Sequence, residues 1–362
     1  MALSVHIKKK LKDFELAVDF DMEEGIVGFL GSSGCGKSMT LKCIAGIEIP
    51  DEGSIVLDGE VLFDKKAGID LSPQKRKVGY LFQNYALFPH MTVRQNIEAG
   101  LEASGKSKQE KKDIVERLLE QFHIKELENS YPVRISGGQQ QRAALARMMA
   151  AEQKFLLLDE PFSALDTYLK EKLMQEMMTY LSQFKKGVIM VSHSRDEVYQ
   201  MCTDTAIMHQ GILETVGKTK EIFDNPGTVN AARLTGCKNI SKAEKLSESE
   251  VYALEWDIKL TFPEHIKIPS NLTHVGIRAH EIRPVKFSDI DNNTSIKLNM
   301  VDCQLKRISE APFEMYLILE NKSGKSTSPL WWKVTKKEWK EIGETVPETV
   351  ELPVEKVILL QH

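Results

Sequence analysis

The sequence predicts an α/β fold, a mixed sheet with a helical subdomain, followed by a small all-β domain at the C-terminus. Three observations predict it. In the stretch Ile26 to Ile44, a short apolar run bounded by glycine meets Gly31-Ser32-Ser33-Gly34-Cys35-Gly36-Lys37-Ser38 and then a helical pattern. Strand-like and helix-like periods then alternate as a parallel sheet with crossover helices requires. Beyond about Asn239 the helical period vanishes, and short strand-like runs punctuated by Pro, Asn, Ser and Gly take over.

In chain order, Leu3, Val5 and Ile7, then Phe14, Leu16, Val18 and Phe20, alternate with polar residues and predict two half-buried antiparallel strands. The run Ile26 to Leu30 suits a buried parallel strand. Gly31, Gly34 and Gly36 allow the backbone to turn its N–H groups toward a ligand, and a helix starting near Gly36 adds its positive end. The product is a phosphate cavity. Lys37 is placed to reach the β- and γ-phosphates and the Ser38 hydroxyl to bind Mg²⁺, with Ser32, Ser33, Cys35 and Met39 completing the cradle. Cys35 has two open readings, a thiol activated by the helix end and Lys37, or a small inert residue.

Gly53 to Phe63 repeats the strand signal around Asp58-Gly59, Ser72 to Lys77 reads as a polar loop, and Val78 to Phe82 as a short strand ending at Gln83. Val93 to Gln121 is helical with a break at Ser104-Gly105, and the charges from Lys106 to Lys112 read as a solvated face. Ser136 to Ala151 predicts a helix, and Lys154 to Leu158 a buried strand. Helix (Thr167 to Phe184), strand (Val188 to Ser192), helix (Arg195 to Met201) and strand (Thr205 to His209) follow, then a last strand and a short helix near Asn225-Pro226-Gly227. The first domain is expected over residues 1–235, with its helical subdomain at about 88–150, and the second over 236–362. Strands of the second are expected at Val251 to Leu254, Ile258 to Phe262, Val275 to Ile277, Ile296 to Met300, Met315 to Leu319 and Glu351 to Leu360.

Composition bounds the function. A chain of 362 residues, 42% hydrophobic and 28% charged, is ordinary for a globular protein with room for two cores. A net charge of −4 argues against wholesale binding of nucleic acid. The five cysteines are far apart with no CxxC pair, so they read as reduced cytoplasmic thiols. No signal-peptide core opens the chain, and no apolar run approaches a membrane span. Service to a membrane would be by docking.

Two further stretches carry chemistry. Phe155 to Leu158 is a hydrophobic strand that presents Asp159 at its carboxyl end, where open α/β sheets bind ligands. Asp159 can hold Mg²⁺, and Glu160 can orient or deprotonate a water attacking the γ-phosphate. Ile135-Ser136-Gly137-Gly138-Gln139 opens a helix, either as a second anion site or as an ordinary Ser cap.

Taken together, these motifs resemble the ATP-binding subunit of an ABC transporter. Gly31 to Ser38 matches Walker A, Phe155 to Asp159 matches Walker B with Glu160 as catalytic carboxylate, and Ile135 to Gln139 matches the signature, with Ile for the usual Leu. Ser163-Ala164-Leu165-Asp166 resembles the D-loop, Gln83 the Q-loop glutamine and His193 the switch histidine. The resemblance implies a P-loop ATPase using ATP and Mg²⁺, with Ser38, Gln83 and Asp159 at the metal and Lys37, Gln83, Glu160 and His193 in catalysis. It implies a head-to-tail homodimer, in which Ser136, Gly138 and Gln139, together with Asp166, reach the nucleotide across the interface. Permease subunits embedded in the membrane are implied partners, a periplasmic or extracellular solute-binding protein is reached indirectly, and the site of action is the cytoplasmic face. Adenine stacks on an early aromatic in such proteins, but Phe14 could equally belong to the core.

The segments Lys66 to Tyr80 and Phe82 to His90 resemble the importer ATPases for molybdate and related oxyanions. Val275 to Pro284 resembles their regulatory TOBE/MOP-like β-domain, for which a plain dimerisation role is the alternative. Sulfate, ferric ion, polyamine or sugar import, or a soluble non-transport ATPase, are the other readings. Tyr85, Leu87, Phe88 and Pro89 form an apolar loop suited either to a membrane partner or to packing under the helical subdomain.

Overall fold

The computed structural model describes residues 3–361 except 103, 152, 164, 166, 185 and 286–298. They fall into two compact units, Met1–Lys220 and Glu221–His362.

The first unit begins with the expected hairpin: β1 (Leu3–Lys10) and β2 (Glu15–Met22) pair antiparallel and bury alternate residues. β3 (Gly25–Gly31) leads into α1 (Lys37–Ala45). β4 (Glu52–Leu57) and β5 (Glu60–Asp64) are joined by Asp58 and Gly59 at φ 49 and 80, the twist that suits a two-residue hairpin. β6 (Ile69–Asp70), a short α2 (Pro73–Arg76) and β7 (Val78–Leu81) follow. The helical region comprises α3 (Val93–Ala99), α4 (Lys108–Gln121) and α5 (Gly137–Ala150), whose starts at Thr92, Ser107 and Ser136 all carry capping boxes. β8 (Phe155–Asp159), α6 (Thr167–Gln183), β9 (Gly187–Ser192), α7 (Arg195–Met201), β10 (Asp204–His209) and β11 (Ile212–Lys218) complete it.

One sheet of 11 strands runs β6-β5-β4-β1-β2-β11-β10-β3-β9-β8-β7. Its β10-β3-β9-β8-β7 section is parallel, and β8 and β9 are buried at every position, which is why they read as unbroken apolar runs. The register then places the site. Leu30 of β3 lies opposite Ser192 of β9, and Val191 opposite Asp159 of β8, so three carboxyl ends arrive level with one another.

The division at Lys220 precedes the expected border at 235. The segment after it, with the ends of α8 (Thr219–Asp224) and all of α9 (Val229–Leu234), packs with the second unit. There the Arg278 guanidinium donates to the carbonyls of Phe223 and, at 2.7 Å, Thr235, and Ala232 joins Cys237, Ile358 and Leu360 in a small core. The remaining elements are β12 (Asn239–Lys245), β13 (Glu250–Ala253), β14 (Ile258–Thr261), β15 (His274–Ile277), β16 (Arg283–Pro284), β17 (Met300–Glu310), β18 (Glu314–Asn321), β19 (Leu330–Thr335), α10 (Lys336–Glu341), β20 (Thr349–Glu351) and β21 (Ile358–Leu360). Two antiparallel five-stranded sheets enclose a core that includes Trp256 and Trp332. The expected strand at Ile296 to Met300 lies outside the described residues except for its last two, and the expected Glu351 to Leu360 strand is split by Pro353 and a turn at Val354–Lys356.

Candidate active site

The site is built where β3, β8 and β9 end. Gly36 closes the loop after β3 at φ 113, left-handed backbone that a side chain adopts only with strain. At Gly31 a Cβ would stand 2.4 Å from the carbonyl oxygen of Met208 on β10, so only glycine lets the loop pass that strand. Lys37 is 4% exposed, and its ammonium donates to the carbonyls of Gly31 at 2.7 Å and Ser32 at 2.9 Å. Burial pulls its pKa below the ordinary lysine value, so a nearby anion would strengthen its charged form. Cys35 is buried and lies 3.7 Å from the Lys37 ammonium, short of the exposure that reactive thiolates need.

Asp159 closes β8, and the Ser38 hydroxyl donates to its Oδ1 at 2.7 Å. The Tyr80 hydroxyl donates to Oδ2 at 2.7 Å, a partner no sequence motif marks. Burial, then the Asp159 charge, raises the Tyr80 pKa, which keeps that proton on the phenol. Glu160 turns sharply away, at φ 48 with its N–H on the Val191 carbonyl at 3.0 Å. Its carboxylate meets Nε2 of His193 and accepts from Gln83 Nε2 at 3.1 Å. The structure thus brings Gln83, Glu160 and His193 together around a cavity of about 610 Å³ that Ser33, Gly34, Gly36, Lys37, Ser38 and Met39 also line.

Phe14 lines that cavity too. It precedes β2, lies beside Gly211 and Gly36, and is absent from the hydrophobic core cluster. Lys12, Asp13 and Lys42, unmarked in the sequence, also face it.

The signature residues do not line this cavity. Ser136 and Gln139 form a reciprocal cap, with Gln139 N donating to Ser136 Oγ at 3.4 Å and Ser136 N to Gln139 Oε1 at 2.9 Å, and Gly138 is buried behind them. Gly137 differs. A Cβ there would meet nothing within 4 Å, so no packing among the described residues demands glycine. Asp166 and Ala164 lie outside the described residues.

Ser38, Asp159 and Gln83 offer hard oxygen ligands, which fits Mg²⁺. Among the described residues no group of three His, Cys, Asp or Glu could hold a metal ion.

This geometry defines a P-loop nucleotide hydrolase, and comparison with known proteins narrows it. The ABC transporter family profile matches residues 16–163. The sulfate/thiosulfate import ATP-binding protein CysA of Thermosynechococcus vestitus is 38% identical over 282 residues, 76% of this chain and 82% of that relative. The spermidine/putrescine import protein PotA of Oleidesulfovibrio alaskensis is 38% identical over 224 residues, 62% of this chain and 58% of its own. The molybdenum import protein ModC of Paramagnetospirillum magneticum is 35% identical over 225, 62% and 61% respectively. The dimeric post-hydrolysis structure of the cassette MJ0796 bound to ADP and Pi covers 60% of this chain and 99% of its own, at 26% identity and a TM-score of 0.52. The chain belongs to the ABC transporter ATP-binding proteins and is an ABC-type ATPase. No described helix is long and apolar enough to cross a membrane.

Proposed function

We propose that this ATPase powers an importer of tetrahedral oxyanions, of the molybdate, tungstate and sulfate type. The observation that carries the hydrolytic part is the contact of Glu160 with both His193 and Gln83 at the mouth of the Lys37 loop. Glu160 takes the proton of the attacking water, His193 holds the Glu160 carboxylate and reaches the γ-phosphate, and Gln83 reports the metal site to the helical region. Lys37 and the N–H groups from Gly31 to Met39 neutralise phosphate charge. Mg²⁺, held through Ser38, Asp159 and Gln83, would draw charge off the phosphate oxygens. Phe14 stacks on the base.

Ser136, Gly138, Gln139 and Asp166 serve a second copy's nucleotide, which makes the working unit a homodimer. The open face at Gly137 supports this, since a glycine unneeded within one chain suits a close approach from another. Membrane permease subunits dock near Phe88, a reading supported by its 42% exposure in a loop whose Tyr85 is buried. An external solute-binding protein delivers the cargo at the far side, and the chain works as a peripheral subunit at the cytoplasmic face. The β unit is a TOBE/MOP-like regulatory domain.

Cassette identity does not choose the cargo, because sulfate and spermidine relatives score alike at 38%. Match length does not choose it either, since a sulfate match of 282 residues and a spermidine match of 254 both exceed the 220 of the first unit. The recurrence of sulfate/thiosulfate proteins among the relatives supports the anion reading. Uptake of labelled sulfate, molybdate and spermidine is the test, in cells carrying the cognate permease with and without this chain. Uptake of either anion alone supports the reading, and spermidine uptake alone would replace it with polyamine import.

A further inference from the structure

The loop carrying His193 is held by more than its own strand. Ser192, the last residue of β9, is 2% exposed; its hydroxyl donates to Glu197 Oε2 at 2.5 Å and accepts from the Ser194 N–H at 2.9 Å. Glu197, in the first turn of α7, is 5% exposed. Its other oxygen, Oε1, lies 2.5 Å from the ammonium of Lys170 on α6. The Glu197 N–H returns to Ser194 Oγ at 3.4 Å, so both sequence neighbours of His193 are fastened to Glu197, Ser192 to its carboxylate and Ser194 to its backbone.

Lys170 reaches that carboxylate from a different helix, α6. Its helix α6 is the element that follows the Glu160 loop. The ion pair therefore spans from the base of the Glu160 loop to the base of the His193 loop, while Glu160 and His193 meet at their tips. A pair whose carboxylate is buried and whose lysine is partly exposed is a poor source of net stability, since desolvation of the carboxylate offsets much of its attraction, and its use is in fixing geometry. The hydroxyl of Ser192 can only bridge while Glu197 stays in place. Glu197 in turn needs a cation, because an uncompensated carboxylate at that depth would swing toward water.

We infer that Lys170 and Glu197 are positioning residues for hydrolysis, whose ion pair acts through Ser192 to set His193 against Glu160. The inference rests on the roles proposed above for those two residues. Lys170→Met in the full-length chain should lower kcat about tenfold while KM and fluorescent-nucleotide affinity stay within about twofold, as expected for an interaction expressed in the transition state. Lys170→Arg, which keeps the charge, should recover kcat to within about threefold of wild type. In a His193→Ala background, Lys170→Met should cost less than about twofold more, because its effect runs through the missing ring. Unchanged kcat in Lys170→Met, or a loss just as large without His193, would overturn the inference. If Lys170→Met melts early, Glu197→Gln carries the same criteria. A His193→Ala enzyme as fast as wild type would instead sink the role of His193 itself, a separate failure visible in its own arm.

Discussion

At the scale of single residues, the proposed base is the carboxylate of Glu160, which lines the Lys37 cavity beside His193 and Gln83. Glu160→Gln keeps the shape and the Gln83 and His193 neighbours but removes that basicity. It should lower kcat by about a hundredfold or more and leave ATP affinity within about twofold, measured by phosphate release and nucleotide titration. Arg76 is a different case. It is 1% exposed and donates to the carbonyls of Leu71, Cys43 and Ile44 at 2.8, 2.8 and 2.9 Å and to Asp70 at 2.9 Å, pinning the end of the phosphate-loop helix to the β5–β6 hairpin. Arg76→Met strands those carbonyls and should cost about 3 kcal/mol in denaturant unfolding, whereas a cost under about 1 kcal/mol would deny the pinning. The sequence hid both Arg76 and Tyr80. Arg76 sat in what reads as a polar loop, and its partners lie up to 33 positions away. The phenol of Tyr80 meets Asp159 across 79 positions.

At the scale of elements, the helical region is joined by charge. Arg94 of α3 pairs with Glu116 of α4 at 2.5 Å and with Glu128, and Lys125 closes the ring on both carboxylates. Hydrogen bonds from Lys125 and Arg94 hold the Glu116 carboxyl down to about 2. A depressed carboxyl contributes its stability above its unfolded value of about 4.3, and that contribution drains as pH falls toward the folded value. Protection of the α4 amides, taken relative to the intrinsic exchange rate at each pH, should therefore fall between about pH 4 and pH 2, by a modest factor because the cluster faces solvent. Protection that stays flat there would show the ring to be inert.

Elements differed in how plainly the sequence showed them. β8 and β9 were legible because a strand buried on both faces leaves an unbroken apolar run. β12 was not, since it turns Asn239, Ser241 and Ala243 inward, and Asn239 exchanges hydrogen bonds with the Trp331 backbone at 2.6 and 2.8 Å. β17 escaped because a bulge between Leu305 and Arg307 breaks its alternation and the residues around it are exposed on both faces. The α10 start was written in the chain as Thr335 and Glu338, a reciprocal cap masked by the strand residues just before it. Of the site, the local motifs were visible at once, and the contacts joining them were not, because each depends on the register of parallel strands far apart in sequence.

At the scale of the whole molecule, the Lys37 cavity and the Ser136 cap are separate features of one chain. Hydrolysis per chain should therefore climb with protein concentration and fall toward zero on dilution, followed by phosphate release alongside light scattering. A rate per chain independent of dilution would argue for a self-sufficient protomer.

The vacancy beside Gly137 has a genetic corollary. A methyl group there meets nothing of its own fold among the described residues, so Gly137→Ala should accumulate normally. On the proposed head-to-tail pairing, that polypeptide expressed alongside the unaltered gene product would depress its activity, behaving as a dominant poison where most loss-of-function changes are silent.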